Sequence, residues 1–177
     1  MRHRHRGYSL YELLLTTTII ALLLFAGFPT FSALTARQLQ SIEINALFHA
    51  IYLARKESIM RRRVVSICPS RDGQNCGQGE DWSSGWLMFE NKDRDTPPHV
   101  DAGEPVLQWH RVAGQVIVKA NRRAFTLRST VLRATNGTLI VCDRQNRVPA
   151  KGLIVSYTGR PRVAFTRTNG QPYQCAD

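Results

Sequence analysis

The first thirty residues carry the feature that most constrains this chain. A basic leader, MRHRHRG, ends at Gly7, and an apolar run follows from Leu13 to Phe28 that only Thr16–Thr18 interrupt. A secretory signal would have a small-residue cleavage site after an apolar stretch of about 7–15 residues, and no such site follows here. The run is close to the lower limit of about 17 residues for a spanning helix. We therefore expect a retained membrane helix at residues 8–31 behind a removable leader at residues 1–7.

Charge sets the expected topology and indicates anionic partners. The net charge is +11, and removal of Arg2, Arg4 and Arg6 with the leader would lower it by three to +8. Arginines immediately before the apolar run favour a cytoplasmic amino terminus. We expect a single pass through a membrane, with the carboxyl-terminal domain outside the cytoplasm. A surface this basic favours nucleic acid or acidic lipid, although a solvated surface without any partner has the same composition.

Residue periodicity predicts one long helix followed by a β domain. Residues 32–63 continue the helix as an amphipathic segment, with apolar residues spaced by three or four. Residues 64–177 change to a period of two, and about eight short runs bounded by Gly, Pro, Asn and Asp predict strands. Asn136-Gly137 lies between two of these runs and predicts a hairpin turn. The predicted fold class is α+β, with an antiparallel β domain packed on the helix.

The four cysteines favour disulfides over a metal site. An extracytoplasmic compartment permits disulfides, and four cysteines allow three connectivities. Local pairing is the expected one, because Cys68–Cys76 would close a Gly-rich loop and Cys142–Cys175 would hold the carboxyl terminus. No C-x₂-C unit is present, which argues against zinc. We expect no metal and no cofactor.

The end of the leader resembles the processing signal of type IV pilins and pseudopilins. The stretch reads Gly7-Tyr8-Ser9-Leu10-Tyr11-Glu12, where that family usually has Phe instead of Tyr8. The resemblance implies cleavage after Gly7 by a prepilin peptidase and N-methylation of the new amino terminus at Tyr8. It also implies pairing of Glu12 with the amino terminus of a neighbouring subunit. The implied location is the bacterial inner membrane, with the carboxyl-terminal domain in the periplasm, and the pilus after assembly. The implied partners are inner-membrane lipid before assembly and other major and minor pilin subunits afterwards.

Three stretches of the globular part resemble the FimT and GspH group of minor pilins and pseudopilins. They are the cysteine-containing strand VSICPS at residues 65–70, the W-x-x-G-W element WSSGW at residues 82–86, and IVSYTGRPRV at residues 154–163. The resemblance covers nearly the whole chain. It implies the type IV pilin-like fold, in which Trp82 and Trp86 are expected to pack in the core.

The segment Gly159-Arg160-Pro161-Arg162 resembles the G-R-x-R element with which FimT proteins of naturally transformable bacteria bind DNA. Pro161 fixes its own backbone and favours an extended Arg160. The two arginines would then share a face about 6.6 Å apart, at roughly 3.3 Å per residue, and Gly159 would let the turn present them outward. Guanidinium groups suit phosphates. No residue is evidently placed to read bases, so we expect binding to double-stranded DNA to be independent of sequence.

Four further cations near strand ends are weaker candidates for DNA contact: Lys119, Arg122, Arg123 and Arg167. The resulting function is that of a minor pilin that binds extracellular DNA and aids its uptake in natural transformation. Two alternatives remain open: a minor pilin with a purely structural role in pilus assembly or priming, and a GspH-like pseudopilin of a type II secretion system. An enzyme is not expected, since the sequence has no G-x-S-x-G, H-E-x-x-H or phosphate-binding loop.

Overall fold

The computed structural model describes residues 9–130 and 134–175, with the backbone alone for residues 26–30. The leader and the predicted processing residues Gly7 and Tyr8 lie outside the described residues. The chain divides into two units between Thr35 and Ala36, and one helix, α1 (Leu10–Arg61), contributes to both. The strands of the described residues follow it in the order β1 (Val64–Pro69), β2 (Trp86–Asn91), β3 (Val106–His110), β4 (Val116–Ala120), β5 (Phe125–Leu127), β6 (Gly137–Asp143), β7 (Lys151–Val155) and β8 (Pro161–Ala164).

In the first unit, α1 exposes apolar side chains around its whole circumference. Leu22, Leu23 and Leu24 are 71%, 68% and 63% exposed, and consecutive helical residues point about 100° apart. The hydroxyls of Thr16, Thr17 and Thr18 are bonded within the helix itself. The Thr17 hydroxyl, for example, donates to the carbonyl oxygen of Leu13 at 3.0 Å. The unit on its own therefore leaves an apolar surface without cover.

The start of α1 has the pattern of a capped helix. The backbone N–H of Glu12 donates to the hydroxyl of Ser9 at 3.3 Å, and Glu12 lies in the first helical turn. A serine followed three residues later by glutamate is typical of helix starts, and a carboxylate is favoured near the positive end of the helix dipole. Capping is thus a local role of Ser9 and Glu12, separate from any role in assembly.

The sequence predicts a membrane-spanning helix over residues 8–31. Within the described residues, however, no helix combines the length and the apolar character needed to cross a membrane. Glu12 and the threonines at positions 16, 17 and 18 are polar residues in this stretch.

The second unit consists of the rest of α1 and two antiparallel sheets. The first sheet has the strand order β3-β2-β1-β5 and the second has the order β4-β6-β7-β8. Side chains of α1 and of both sheets form one buried cluster, which includes Leu47, Ile51, Val65, Trp86 and Leu153. Trp82 and Trp86 are fully buried, as expected. The predicted α+β class and the antiparallel β domain are confirmed.

The predicted hairpin turn at Asn136-Gly137 is wrong. β5 pairs with β1 in the first sheet, whereas β6 pairs with β4 and β7 in the second sheet, so the dipeptide lies on a connection between sheets. Phe125 and Leu127 of β5 are fully buried, and their place beside β1 buries them in the common core. Tertiary pairing therefore overrides the local turn preference.

The predicted end of the helix is also shifted slightly. α1 ends at Arg61, and Arg62 has a φ of 54°. A residue in the left-handed region commonly follows the last helical turn, where it closes the helix.

The structure contains the disulfides Cys68–Cys76 and Cys142–Cys175, which are the two local pairs that the sequence favours.

Two buried polar side chains of α1 attach the helix to the β domain. The side-chain amide nitrogen of Gln40 (Nε2) donates to the carbonyl oxygens of Val141 at 3.0 Å and Pro149 at 2.8 Å. Glu43, which is 3% exposed, has Oε2 at 2.8 Å from His110 Nε2 and accepts the Ala113 N–H at 3.0 Å. Because buried polar groups are costly without partners, these bonds fix the position of the helix along the sheets.

We predict that Glu43→Ala lowers the free energy of unfolding by about 1–3 kcal/mol, because the partly buried donors at His110 and Ala113 lose their acceptor. Urea unfolding followed by the fluorescence of the buried tryptophans measures this change. Asn45→Ala is the matched control, since Asn45 is exposed on the same helix, and it should change the free energy by less than about 0.5 kcal/mol. An equal loss in both variants would contradict the role assigned to Glu43.

Candidate nucleic-acid interface

The candidate site is built on the hairpin that joins β7 and β8. Within its turn, the Ser156 N–H donates to the Arg160 carbonyl at 3.1 Å, and the Arg160 N–H donates to the Ser156 hydroxyl at 3.2 Å. The Gly159 N–H donates to the Ser156 carbonyl at 2.9 Å, and the hydroxyls of Ser156 and Thr158 lie 2.8 Å apart. Ser156 thus forms hydrogen bonds with Thr158, Gly159 and Arg160, and these bonds hold the backbone of the turn in one conformation.

Gly159 is the residue of this turn that faces the protein interior, and it is buried. Its φ of 72° is in the left-handed region that favours glycine. A Cβ at this position would lie 2.8 Å from Leu127 Cδ1 and 3.3 Å from both Ala134 Cβ and Arg55 Cδ. The glycine therefore lets the hairpin pack directly on β5 and on the aliphatic part of a helix side chain.

Arg160 and Arg162 are both exposed on this hairpin. Arg160 precedes β8, and Arg162 lies within β8 opposite Ile154 of β7. In the described parts of the chain, the arginine ion pairs use Arg61, Arg63 and Arg147, so neither hairpin arginine is neutralised by a carboxylate. Two exposed guanidinium groups without a carboxylate partner among the described residues are chemically suited to bind anions.

The outer face of the second sheet brings Arg162 together with two of the weaker candidates. Lys119 of β4, Arg162 of β8 and Arg167 in the chain after β8 line one open cavity of about 570 Å³. Ile140 and Ile154 line the same cavity between them. The basic groove, as we call this cavity, therefore joins the hairpin to Arg167, which follows it closely, and to Lys119, which lies far from it in the sequence.

Carboxylates also lie close to one end of the basic groove. Glu80 lines the cavity, and Asp81 forms an isolated bridge with Lys119. Hydrogen bonds from Ser83 are the main reason that the pKa of Asp81 lies below its ordinary value, and the charges of Lys119 and Arg71 lower it further. The positive charge in the groove is therefore strongest on the side of Arg162 and Arg167.

The other two candidates lie elsewhere. The Nε of Arg122 donates to the Asn136 carbonyl at 3.1 Å, and its side chain lies against Gly137, which pairs with Val155 at the end of β7. Arg122 is thus at the end of the sheet from which the hairpin projects. Arg123 lines a different cavity, beside the Cys68–Cys76 disulfide, and it does not join the basic groove.

Two further residues, Arg55 and Tyr157, lie at the hairpin, and the sequence does not single out either of them as a part of this site. Arg55 packs against Gly159 and directs its guanidinium group to the carbonyl oxygens of Arg128 and Thr130, at 3.4 and 3.5 Å. Tyr157, in the hairpin turn, is 65% exposed. Helical periodicity alone cannot show that Arg55 contacts a hairpin a hundred residues away, and an exposed tyrosine in a turn has no distinctive pattern.

The basic end of α1 is partly neutralised. Arg61 pairs with Glu57 at 2.6 Å and lies 3.7 Å from Glu90, and Arg63 lies 3.8 Å from Glu90. These carboxylates reduce the positive field at the end of the helix. The helix end is therefore a weaker anion site than the hairpin.

An acidic cluster lies in the loop between β2 and β3. Carboxylate oxygens of Asp93, Asp95 and Asp101 lie within 4.8 Å of one another. The pKa of Asp101 is raised, mainly by desolvation and to a smaller extent by repulsion from the charges of Asp93 and Glu104. Exposed acidic clusters are common without an ion, so we assign no metal site to this loop.

The comparison with known proteins adds the family. A model described as type II transport protein GspH matches residues 43–159, which is more than half of the chain. The chain belongs to the GspH family. No curated protein sequence gives a significant match to this GspH-family chain.

Two solved structures share the pilin-like fold of the GspH-family chain. The type IV minor pilin FimU of Pseudomonas aeruginosa is 20% identical, with a TM-score of 0.52 over 78% of this chain and 94% of FimU. The minor pseudopilin EpsH from the type 2 secretion system of Vibrio cholerae is 10% identical, with a TM-score of 0.50 over 70% of this chain and 94% of EpsH. At these identities the likeness concerns the fold, and it confirms the predicted pilin-like architecture.

We predict that Gly159→Ala destabilises the hairpin more than Gly170→Ala does. Both glycines have a φ in the left-handed region, 72° and 78°, but a Cβ on Gly170 would meet nothing within 4 Å. Gly170→Ala should therefore cost only the backbone term of about 1–2 kcal/mol, whereas Gly159→Ala should add a packing cost of about 1–3 kcal/mol. Urea unfolding of the two variants measures the difference, and equal losses would show that the packing of Gly159 is unimportant.

Proposed function

We propose that the chain is a minor type IV pilin that binds extracellular DNA through its phosphates and aids DNA uptake in natural transformation. The supporting observation is the β7–β8 hairpin, on which Arg160 and Arg162 are exposed and form no ion pair with a carboxylate of the described residues. The sequence resemblance of this hairpin to the G-R-x-R element of FimT proteins supports the same function. Membership of the GspH family is consistent with a pilin or pseudopilin role.

The physical chemistry of the hairpin limits the strength and specificity of this binding. Backbone phosphates carry no sequence information, so arginines that contact them bind DNA of any sequence. If two to four phosphates are neutralised, the logarithm of the binding constant should fall with the logarithm of salt concentration at a slope of about −2 to −4. The dissociation constant should lie in the non-specific range of about 10⁻⁴–10⁻⁶ M.

We predict that Arg160→Ala/Arg162→Ala weakens DNA binding by about ten-fold or more at low salt, because two phosphate contacts are lost, and flattens the salt slope by about 2. Gel shift of the full-length chain in detergent, with short duplexes of unrelated sequence, measures both effects. Arg37→Ala/Arg144→Ala is the matched control, since it removes the same charge from two other exposed positions.

Unchanged binding in the hairpin double variant would refute the assignment of the site. An equal loss in the control would show that only the total charge matters. Absence of binding by the parent chain at low salt would refute the DNA-binding function itself and would leave a structural role for the protein.

The proposed function includes processing and assembly through the first part of the chain. We propose that a prepilin peptidase cleaves after Gly7, that Tyr8 becomes the N-methylated amino terminus, and that Glu12 pairs with the amino terminus of a neighbouring subunit. The exposed apolar side chains of α1 in the first unit support this proposal, because they need cover. Inner-membrane lipid would supply that cover before assembly, and other pilin subunits would supply it within the pilus.

We predict that the mature protein lacks residues 1–7 and carries one added methyl group on Tyr8 when it is produced together with a prepilin peptidase. Mass spectrometry of the intact protein and of its amino-terminal peptide measures both changes. Gly7→Val should block cleavage, whereas Glu12→Ala should still be cleaved but should be missing from sheared pili. An uncleaved parent chain in the presence of active peptidase would refute this processing.

A second candidate is a pseudopilin of a type II secretion system, and the family match favours it, because the matching model is described as a type II transport protein. Deletion of the gene distinguishes the two. A loss of protein secretion with normal transformation would support the pseudopilin, and the reverse result would support the minor pilin.

A further inference from the structure

We propose that the basic groove receives an unpaired DNA strand, so that the chain binds single-stranded DNA more tightly than duplex of the same length. This inference rests on the proposed DNA-binding function and specifies the form of DNA that the site prefers. Its basis is the apolar floor of the groove between the cations, together with an exposed tyrosine in the hairpin turn.

The register of the second sheet defines the groove. Lys119 in β4 is opposite Ile140 in β6, and Ile154 in β7 lies between Thr138 and Arg162 on its two neighbouring strands. β4 and β8 are three strand positions apart, so the backbones of their cations are separated by roughly 14 Å at about 4.8 Å per strand. Long basic side chains therefore flank a strip of sheet that exposes Ile140 and Ile154 together with the hydroxyl-bearing Thr138.

The isoleucines between the cations favour binding of an unpaired strand over binding of a duplex. Ile140 and Ile154 are partly exposed, and the cavity above them has a volume of about 570 Å³. In a duplex the base faces are covered by stacking, so a duplex can offer only phosphates to Lys119, Arg162 and Arg167. An unpaired strand can place its phosphates near the cations and lay a base on the isoleucines, and it gains from both contacts.

Tyr157 provides a second apolar surface for a base. Its side chain is 65% exposed, and it lies in the same turn as Arg160, where the bonds of Ser156 hold the backbone in place. Aromatic rings next to basic groups are the usual stacking platforms of proteins that bind single strands without sequence preference. The turn thus combines a phosphate contact and a stacking surface within four residues of the chain.

Fluorescence anisotropy of the full-length chain in detergent tests this preference. The probes are a fluorescein-labelled oligothymidine and a duplex of equal length, compared at the same salt concentration. We expect the single strand to bind about ten-fold more tightly, and Tyr157→Ala to remove most of that difference while leaving duplex binding nearly unchanged. Tyr157→Phe should retain the preference, because stacking needs the ring and not the hydroxyl.

Tyr52→Ala is the matched control, since Tyr52 is 62% exposed on α1, and it should leave both affinities unchanged. Ile154→Ser should also reduce the preference, and urea unfolding shows whether this variant is folded. Equal or tighter binding of the duplex by the parent chain would overturn this inference and leave the proposed function intact. A parent chain that binds neither probe would overturn both.

Discussion

The structure of the second unit depends on the burial of one face of α1. Leu47, Ile51 and Ala54 are fully buried, and they belong to the same cluster as side chains from both sheets. Burial of a single leucine or isoleucine contributes about 1.5–3 kcal/mol, more than a typical surface ion pair. Gln40 and Glu43 determine where along the sheets the helix packs, because each forms hydrogen bonds with specific backbone groups of the β domain.

The same packing positions the candidate site. Arg55 follows the buried Ala54 in α1, and its side chain lies beneath Gly159 of the hairpin. The hairpin therefore rests on the helix and on Leu127 of the first sheet, although its strands belong to the second sheet. Because the bonds and packing of the turn hold its backbone, Arg160 would need little backbone ordering to bind the proposed ligand, which would reduce the entropic cost of binding.

The sequence was informative wherever a property is local. Period-two runs predict the strands, the spacing of the cysteines favours the two disulfides, and the G-R-x-R resemblance locates the hairpin arginines. Prediction from the sequence failed where contacts between distant segments determine the structure. Asn136-Gly137 has the local signature of a hairpin but connects two sheets, because burial of Phe125 and Leu127 beside β1 determines the pairing. The grouping of Lys119 with Arg167 likewise depends on strand order, which no spacing in the sequence reveals.

The separation of the chain into two units fits the two parts of the proposed function. The exposed apolar side chains lie on α1 before Ala36, whereas the hairpin and the basic groove lie in the β domain. A site with so few cations would hold DNA weakly, and a weak electrostatic site would let DNA slide and exchange. Repetition along a filament would raise the overall affinity through effective concentration without any new contact. Strong binding by the filament and rapid movement of DNA at each subunit would then be compatible. Assembly into the filament would depend on α1 before Ala36, whereas the contact with DNA would depend on the β domain.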